Sequence, residues 1–274
     1  MFLINGRFSE SIQVLDRGLQ YGDGLFETIA MLEGKPLCWE AHYQRLHEGC
    51  ARLGLSCPAL DLLRSEMGRL PVENAKCVIK IIVTGGQAGR GYHRPLDHLS
   101  VTRILGLYPW PDYPPEYAVH GVKTRMCLTR LGRNPQLAGI KHLNRLEQIL
   151  ARNEWDSPEI AEGLMLDIQG AVIEGTMSNL FCIKDDVLST PDLSASGIAG
   201  IVRGRILALS SHLKFPVKVC TLTETDLYKA DELFLCNSVI GIWPVREIDN
   251  RNFRVGPMSH EIRQLLIRES IIAA

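Results

Sequence analysis

Tyr108-Pro-Trp-Pro-Asp-Tyr-Pro-Pro115 holds four prolines in eight positions. Proline fixes φ and has no N–H to donate, so such a run stiffens the chain and is expected to stay out of regular elements. It splits the sequence into a smaller N-terminal domain over 1–112, a linker over 113–121 and a larger C-terminal domain over 122–274. Each part is long enough to bury a core of its own, and 46% apolar with 22% charged residues is an ordinary globular composition. No internal repeat or low-complexity tract interrupts either part.

A formal net charge of −1 removes the basic surplus that nucleic acid or an anionic membrane requires, leaving small molecules and other subunits as the expected partners. The eight cysteines lie far apart with no C-x-x-C pair. They read as small apolar side chains in a reducing cytosol, not as a disulfide framework or metal site, and no metal is expected. The opening Met1-Phe-Leu-Ile-Asn-Gly-Arg7 is too short an apolar stretch for a signal peptide. No uncharged run approaches the roughly 20 residues of a spanning helix. The expectation is a cytoplasmic, soluble protein.

Periodicity places the elements. Phe2–Phe8 reads as a hairpin turned on Asn5-Gly6, and Asp16–Gly24 as a glycine-punctuated loop leading into a strand over Leu25–Met31. Tyr43, Leu46, Cys50 and Leu53 mark a helix from Trp39 to Leu53, with His42 and Arg45 three apart on a neighbouring face. A second helix covers Leu60–Leu70 and an apolar strand Cys77–Thr84. After the prolines come a strand at Gly121–Thr129, a helix from Leu143 to Trp155, and strands at Gly163–Ile168, Val172–Ile183 and Val187–Thr190. A helix over Ile201–His212, a strand at Val217–Leu222, a short helix at Thr223–Ala230, a strand at Asp231–Cys236 and a final helix at His260–Ile267 complete the pattern, which is mixed α and β.

Four features carry chemistry. Lys141 follows the apolar Ala138-Gly139-Ile140 and precedes an amphipathic run. There it is either one solvated cation among many or an amine whose pKa is depressed by desolvation, able to form an imine. Glu174 stands among Val172, Ile173, Leu180 and Phe181, either on a wet face or buried against a positive charge. Gly200 opens a helix and leaves the amides of Ile201 and Val202 available for an anion. Gly85-Gly-Gln-Ala-Gly-Arg-Gly-Tyr92 is neither a Walker loop nor a dinucleotide fingerprint, because Pro95 follows with no helical pattern; it reads as a loop beside a site, carrying Arg90.

Taken in order, Asp16-Arg17, Tyr21-Gly-Asp-Gly24, His42-x-x-Arg45-Leu46, Ile140-Lys141, Glu174-Gly-Thr-x-Ser-Asn179, Gly200-Ile201-x-Arg203 and Asp231-Glu-Leu-Phe234 with Pro244-Val245 resemble the fold type IV pyridoxal phosphate enzymes. That group includes branched-chain and D-amino-acid aminotransferases and the aminodeoxychorismate lyases. The resemblance runs nearly end to end and implies a two-domain α+β fold, pyridoxal 5'-phosphate as cofactor and a homodimer. It implies Lys141 as the imine-forming lysine and proton carrier, Glu174 as the partner of the pyridine nitrogen and Arg45 as the grip on the phosphate. The amides of Ile201 and Val202 and the Asn237-Ser238 turn would complete the phosphate cup.

Leu131–Gln148 and Gly89–Tyr92 look like the lyase branch. Thr28 falls where the lyases have a threonine and branched-chain enzymes a glycine, placed to relay a proton beside Lys141. Lyase activity would convert aminodeoxychorismate to 4-aminobenzoate and pyruvate in folate synthesis; an aminotransferase is the alternative. Two departures stand out. Lyase relatives often have Thr or Ser at Glu27, and they carry an arginine where this chain has Gly85. The substrate carboxylates are left to Arg90, Arg145 and Lys80, with Tyr92 beside them.

Overall fold

The structure is a computed structural model and describes all residues except 95–99, 214 and 274; Pro95 therefore lies outside the described residues. The chain divides into two compact units, Met1–Pro111 with Ile140–Asn144, and Asp112–Gly139 with Arg145–Ala274. The division differs from one cut at the prolines because Ile140–Asn144 belongs with the first unit.

The first unit comprises β1 (Phe2–Ile4), β2 (Arg7–Phe8), α1 (Arg17–Tyr21), β3 (Gly24–Leu32), β4 (Lys35–Pro36), α2 (Trp39–Leu53), α3 (Leu60–Met67), β5 (Lys76–Thr84) and β6 (Thr102–Pro109). Its six strands form one sheet in the order β2-β1-β6-β5-β3-β4. Alternation along each strand decides its faces. Leu25, Ile29 and Met31 of β3, with Cys77, Ile79, Ile81 and Val83 of β5 and Leu105 of β6, join Trp39, Leu46 and Cys50 of α2 in one core. Phe26 and Thr28 take the other face, opposite Ile82 and Lys80 of β5.

The stretch Asp16–Gly24, expected as loop throughout, is not all loop. Helix α1 forms within it, capped by the Asp16 side chain, which accepts from Gly18 N at 2.8 Å, and closed by Gly22 at φ 64°. Five residues are too few to show periodicity, so the cap was the readable signal. Tyr108-Pro109 does enter a strand, against expectation, since β6 ends with Pro109 opposite Cys77. Proline is tolerated there because the strand stops at it.

Ile140–Asn144 lies along the edge of β3 opposite β5. Phe26 N donates to Lys141 O at 3.0 Å and Leu143 N to Gly24 O at 3.0 Å, with Leu25 bridged to His142. A short segment thus completes an edge that β4 leaves open.

The second unit comprises α4 (Tyr117–His120), β7 (Val122–Met126), α5 (Leu146–Arg152), β8 (Ile160–Leu166), β9 (Ala171–Gly175), β10 (Asn179–Lys184), β11 (Val187–Pro191), α6 (Ile201–Ala208), β12 (Val217–Cys220), β13 (Leu222–Thr223), α7 (Glu224–Tyr228), β14 (Glu232–Asn237), β15 (Gly241–Ile248), β16 (Arg251–Asn252) and α8 (Pro257–Arg268). The sheet runs β12-β11-β10-β14-β15-β7-β8-β9-β13, with β16 on β15. Helix α4 falls inside the stretch expected as linker. The strand expected over Val172–Ile183 is two strands, β9 and β10, separated by a turn at Thr176-Met177-Ser178. Strand β15 was hidden because Pro244 and Gly241 weaken its pattern. Glu232 of the Asp231-Glu-Leu-Phe motif is buried and accepts from Met258 N and Ser259 N at 3.3 and 3.1 Å, holding the start of α8.

Candidate active site

In the first unit the charged residues of the pattern collect on both faces of β3. On the core face Glu27 stands between Leu25 and Ile29, where period two forces its side chain beneath α2. Burial alone would raise its pKa. Instead Arg45 donates Nε to Oε1 at 2.8 Å and Nη2 to Oε2 at 2.5 Å, and His42 Nδ1 lies 2.6 Å from Oε2. Against that burial, the charge of Arg45 and bonds from both residues bring the Glu27 carboxyl down to about 2. Burial, outweighing the pull of Glu27, lowers the pKa of His42. The carboxylate can only accept, so Nδ1 is the donor of this bond. The helix spacing that sets His42 and Arg45 on one face makes this cluster, and a two-point carboxylate fixes the plane of the Arg45 guanidinium.

On the opposite face, the ammonium of Lys141 lies 4.3 Å from the centre of the Phe26 ring and that of Lys80 lies 5.1 Å from it. Thr28 follows on the same face, in register with Lys80. Lys141, Thr28 and Lys80 are each half-buried. The pairing of residues 141–143 with β3 is what holds the lysine over Phe26.

Arg90 and Tyr92 sit on the glycine-rich stretch after β5; Arg90 is exposed and Tyr92 is exposed at 87%. That stretch is tied down by Arg17, which donates to Gly91 O and Tyr92 O at 2.9 Å each. Asp23 bridges Arg17 and Arg94. Burial would raise the Asp23 pKa, but bonds from Arg94 and Arg17 outweigh it and lower it. The Tyr21 hydroxyl accepts from Gly91 N at 3.1 Å, and its ring meets that of Tyr92 edge-on.

In the second unit Glu174, at the end of β9, is 3% exposed and its Oε2 accepts from Ile198 N at 2.8 Å. Glu174 is therefore buried and not on a wet face. The turn that follows Glu174 is wrapped around Glu162 of β8, a buried carboxylate. Glu162 accepts from Gly163 N, Thr176 N, Met177 N and Ser178 Oγ at 2.8–3.1 Å, and from Thr176 Oγ1 at 2.5 Å. Burial raises its pKa against those donors. Ser178 and Thr176 of the motif thus serve Glu162, and Asn179 donates to Ile198 O at 2.9 Å, bracketing the residue whose amide holds Glu174.

Helix α6 starts at Ile201 with Gly200 as its cap and no side chain capping it, and Ile201 and Val202 are buried. A Cβ on Gly200 would come within 1.9 Å of Asn179 Oδ1, so glycine is needed for the approach of Asn179. Asn237 uses Oδ1 to accept from Val239 N and Ile240 N at 2.8 Å and donates to Met177 O at 3.0 Å; it fixes the turn that bears Ser238. Arg145 is half-buried, and burial lowers its pKa against the charges of Glu174 and Glu147. A cavity of about 240 Å³ lined by Arg133, Asp192, Ser196 and Thr223 also lies in this unit, and none of the residues expected at the site lines it.

The first unit therefore groups Lys141, Thr28 and Lys80 on one sheet face and sets Arg45 on Glu27 on the other, with the Lys141 ammonium near enough for its charge to act on His42 beside Arg45. The second gathers Glu174, Asn179 and the start of α6 around residues 197–201. Glu27 and Glu162 were missed from sequence. For Glu27 the readable signal was a carboxylate at a core-face position of β3 with an arginine and a histidine at helical spacing downstream. For Glu162 no local signal existed, because its donors on the turn are fourteen to sixteen residues away.

An amine seated on an apolar ring, a buried carboxylate held by a backbone N–H, and an uncapped helix start are the kinds of group that a phosphorylated pyridine aldehyde requires. The amino-transferase class IV family model matches residues 24–248, and the chain belongs to this family, whose fold type IV enzymes depend on pyridoxal phosphate. Among its relatives, an aminodeoxychorismate lyase of Vibrio harveyi is 35% identical, with 96% of this chain and 98% of the relative covered. The crystal structure of 4-amino-4-deoxychorismate lyase from Pseudomonas aeruginosa superposes with a TM-score of 0.94 at 42% identity, covering 99% of this chain and 100% of that one. A branched-chain amino acid aminotransferase from Escherichia coli gives 0.83 at 27% identity over 97% and 92%.

Proposed function

We propose that this protein is a pyridoxal phosphate-dependent aminodeoxychorismate lyase, releasing pyruvate and 4-aminobenzoate, and that it acts in folate synthesis in the cytoplasm. The observation that carries the reading is Thr28 on the same face of β3 as the Lys141 ammonium, at the position where branched-chain aminotransferases have glycine. Identity to the two lyases supports it further, being higher than to the aminotransferase.

When bound, the cofactor supplies a cationic ring that accepts the electron pair left by a departing proton. Lys141 binds it and, once its amine is released again, takes the proton from C4 of the substrate. Thr28 orients and passes that proton through its hydroxyl. Glu174, fixed by Ile198 N–H, is the carboxylate that partners the ring nitrogen and holds its proton. Arg45, its plane set by Glu27, holds the phosphate together with the amides of Ile201 and Val202 and the Asn237-Ser238 turn. Lys80 takes a substrate carboxylate, with Arg145, Arg90 and Tyr92 as further contacts.

The protein acts as a homodimer. In support, α5 exposes Leu146, Ile149 and Leu150 at 72, 53 and 61%, with Leu128 at 78%, an apolar stripe that a second copy would cover.

The test is a mixture of protein, pyridoxal phosphate and aminodeoxychorismate with a coupled pyruvate readout. Pyruvate formed with no amino acceptor supports the lyase. Turnover only when a keto acid and a branched-chain or D-amino acid are supplied would replace it with an aminotransferase.

A further inference from the structure

The sheet of the second unit has its two ends joined by one residue. Strand β12 lies along β11 and β13 along β9, and Thr221 alone separates β12 from β13. The cavity of about 240 Å³ lies at this seam, with Thr221 and Thr223 on its wall, Ala171 and Val172 of β9 beside them, and Arg133 and Asp192 as its charged residues. Asp192 N donates to Cys220 O at 3.0 Å, which fixes that residue next to the seam.

The two charges are held in place by bonds that do not exhaust them. Arg133 donates Nη1 to Oδ2 of the fully buried Asp167 at 2.5 Å. That contact orients the guanidinium, 34% exposed, and among the described residues no acceptor engages its Nε or Nη2. The oxygens of the exposed Asp192 accept from Ser194 alone, from N at 3.1 Å and from Oγ at 2.6 Å, so each can accept again. An anion by itself would meet Arg133 together with the charges of Asp167 and Asp192. A cation by itself would leave the Arg133 donors unmet. A molecule carrying both charges answers both groups with charge-assisted bonds.

We propose that this cavity is a binding site for zwitterionic amino carboxylates, the ligand carboxylate on Arg133 and its ammonium on Asp192. The site is separate from the residues of the proposed chemistry but abuts them through the chain. Its wall is stitched by Asn134 N to Ala195 O at 2.8 Å and Ser196 Oγ to Gly132 O at 2.7 Å. Two residues beyond Ser196 is Ile198, whose amide holds Glu174, and Ile173 of the same cavity precedes Glu174. An occupant therefore steadies the segment that carries the Glu174 donor.

The experiment is hydrogen-exchange mass spectrometry on the whole protein with its cofactor, titrated with L-alanine and with γ-aminobutyrate, two zwitterions of different charge separation. Butyrate and butylamine, each bearing one of the two charges, are the controls. At least one zwitterion should slow exchange in peptides covering 169–173 and 192–198, and neither control should do so at the same concentration. Arg133→Gln and Asp192→Asn should each raise the concentration needed for half protection roughly ten-fold or more. Arg133→Gln strips a buried carboxylate of its cation; if that variant does not fold, Asp192→Asn, a change at an exposed side chain, decides alone. No protection by either zwitterion, equal protection by a control, or an unchanged midpoint in a folded variant would overturn the proposal.

Discussion

Replacing Glu27 with Gln keeps the shape of the side chain beneath α2 and removes its charge, leaving the Arg45 guanidinium, 13% exposed, facing an amide. The magnitude follows from the carboxyl itself, which is lowered from 4.5 to about 2. That displacement is worth about 3 kcal/mol at about 1.4 kcal/mol per unit, and it agrees with the cost of breaking a buried pair. A carboxylate with a depressed folded pKa contributes stability that is complete above the unfolded value and is lost as pH falls toward the folded one. The Glu27 contribution is therefore full at pH 7 and diminished by about 2 kcal/mol at pH 3. Urea unfolding followed by circular dichroism should show E27Q about 3 kcal/mol less stable than the parent at pH 7, a midpoint shift of about 1 M, with the gap narrowing as pH is lowered. A gap under about 1 kcal/mol at pH 7, or one that stays constant down to pH 3, would refute the reasoning.

Lys141→Ala should abolish the visible absorbance of lysine-bound cofactor and reduce pyruvate release by at least about 10³-fold; full activity would remove the assignment. Thr28→Val is expected to slow turnover by about 10²-fold with cofactor affinity, measured by titration, unchanged. Glu174→Ala should lower kcat far more than it weakens cofactor binding, and equal losses in both would count against its place at the ring nitrogen. Glu162→Ala leaves the donors of the 176–178 turn without their buried acceptor, at a cost of about 3 kcal/mol, and hydrogen exchange at the Thr176 and Met177 amides should rise with it.

The faces of β3 and β5 and the length of α2 could be read from sequence because burial writes its period directly into those segments. Helix α2 runs Trp39–Leu53 as the spacing of Tyr43, Leu46, Cys50 and Leu53 requires. Strand β15 could not be read, since Pro244 and Gly241 argue against a strand unless its neighbours β14 and β7 are known. At the site, the positions of Lys141, Glu174 and Arg45 stood out through their order along the chain. What surrounds them did not: Glu27 is chosen by partners on α2, and Glu162 by a turn that follows the next strand in sequence. Both are carboxylates inside apolar strands, a pattern that by itself says only that some compensating donor exists elsewhere.

The pairing of residues 141–143 with Gly24–Phe26 has a bearing on synthesis. A ribosome delivers the first 111 residues well before it delivers the strip that closes this flank, so for a time the nascent chain displays unsatisfied amides and carbonyls beside Phe26, an invitation to pair with another polypeptide. A fragment cut at the prolines would keep that flank bare permanently, and its solubility should be rescued by a peptide spanning Ile140 to Asn144.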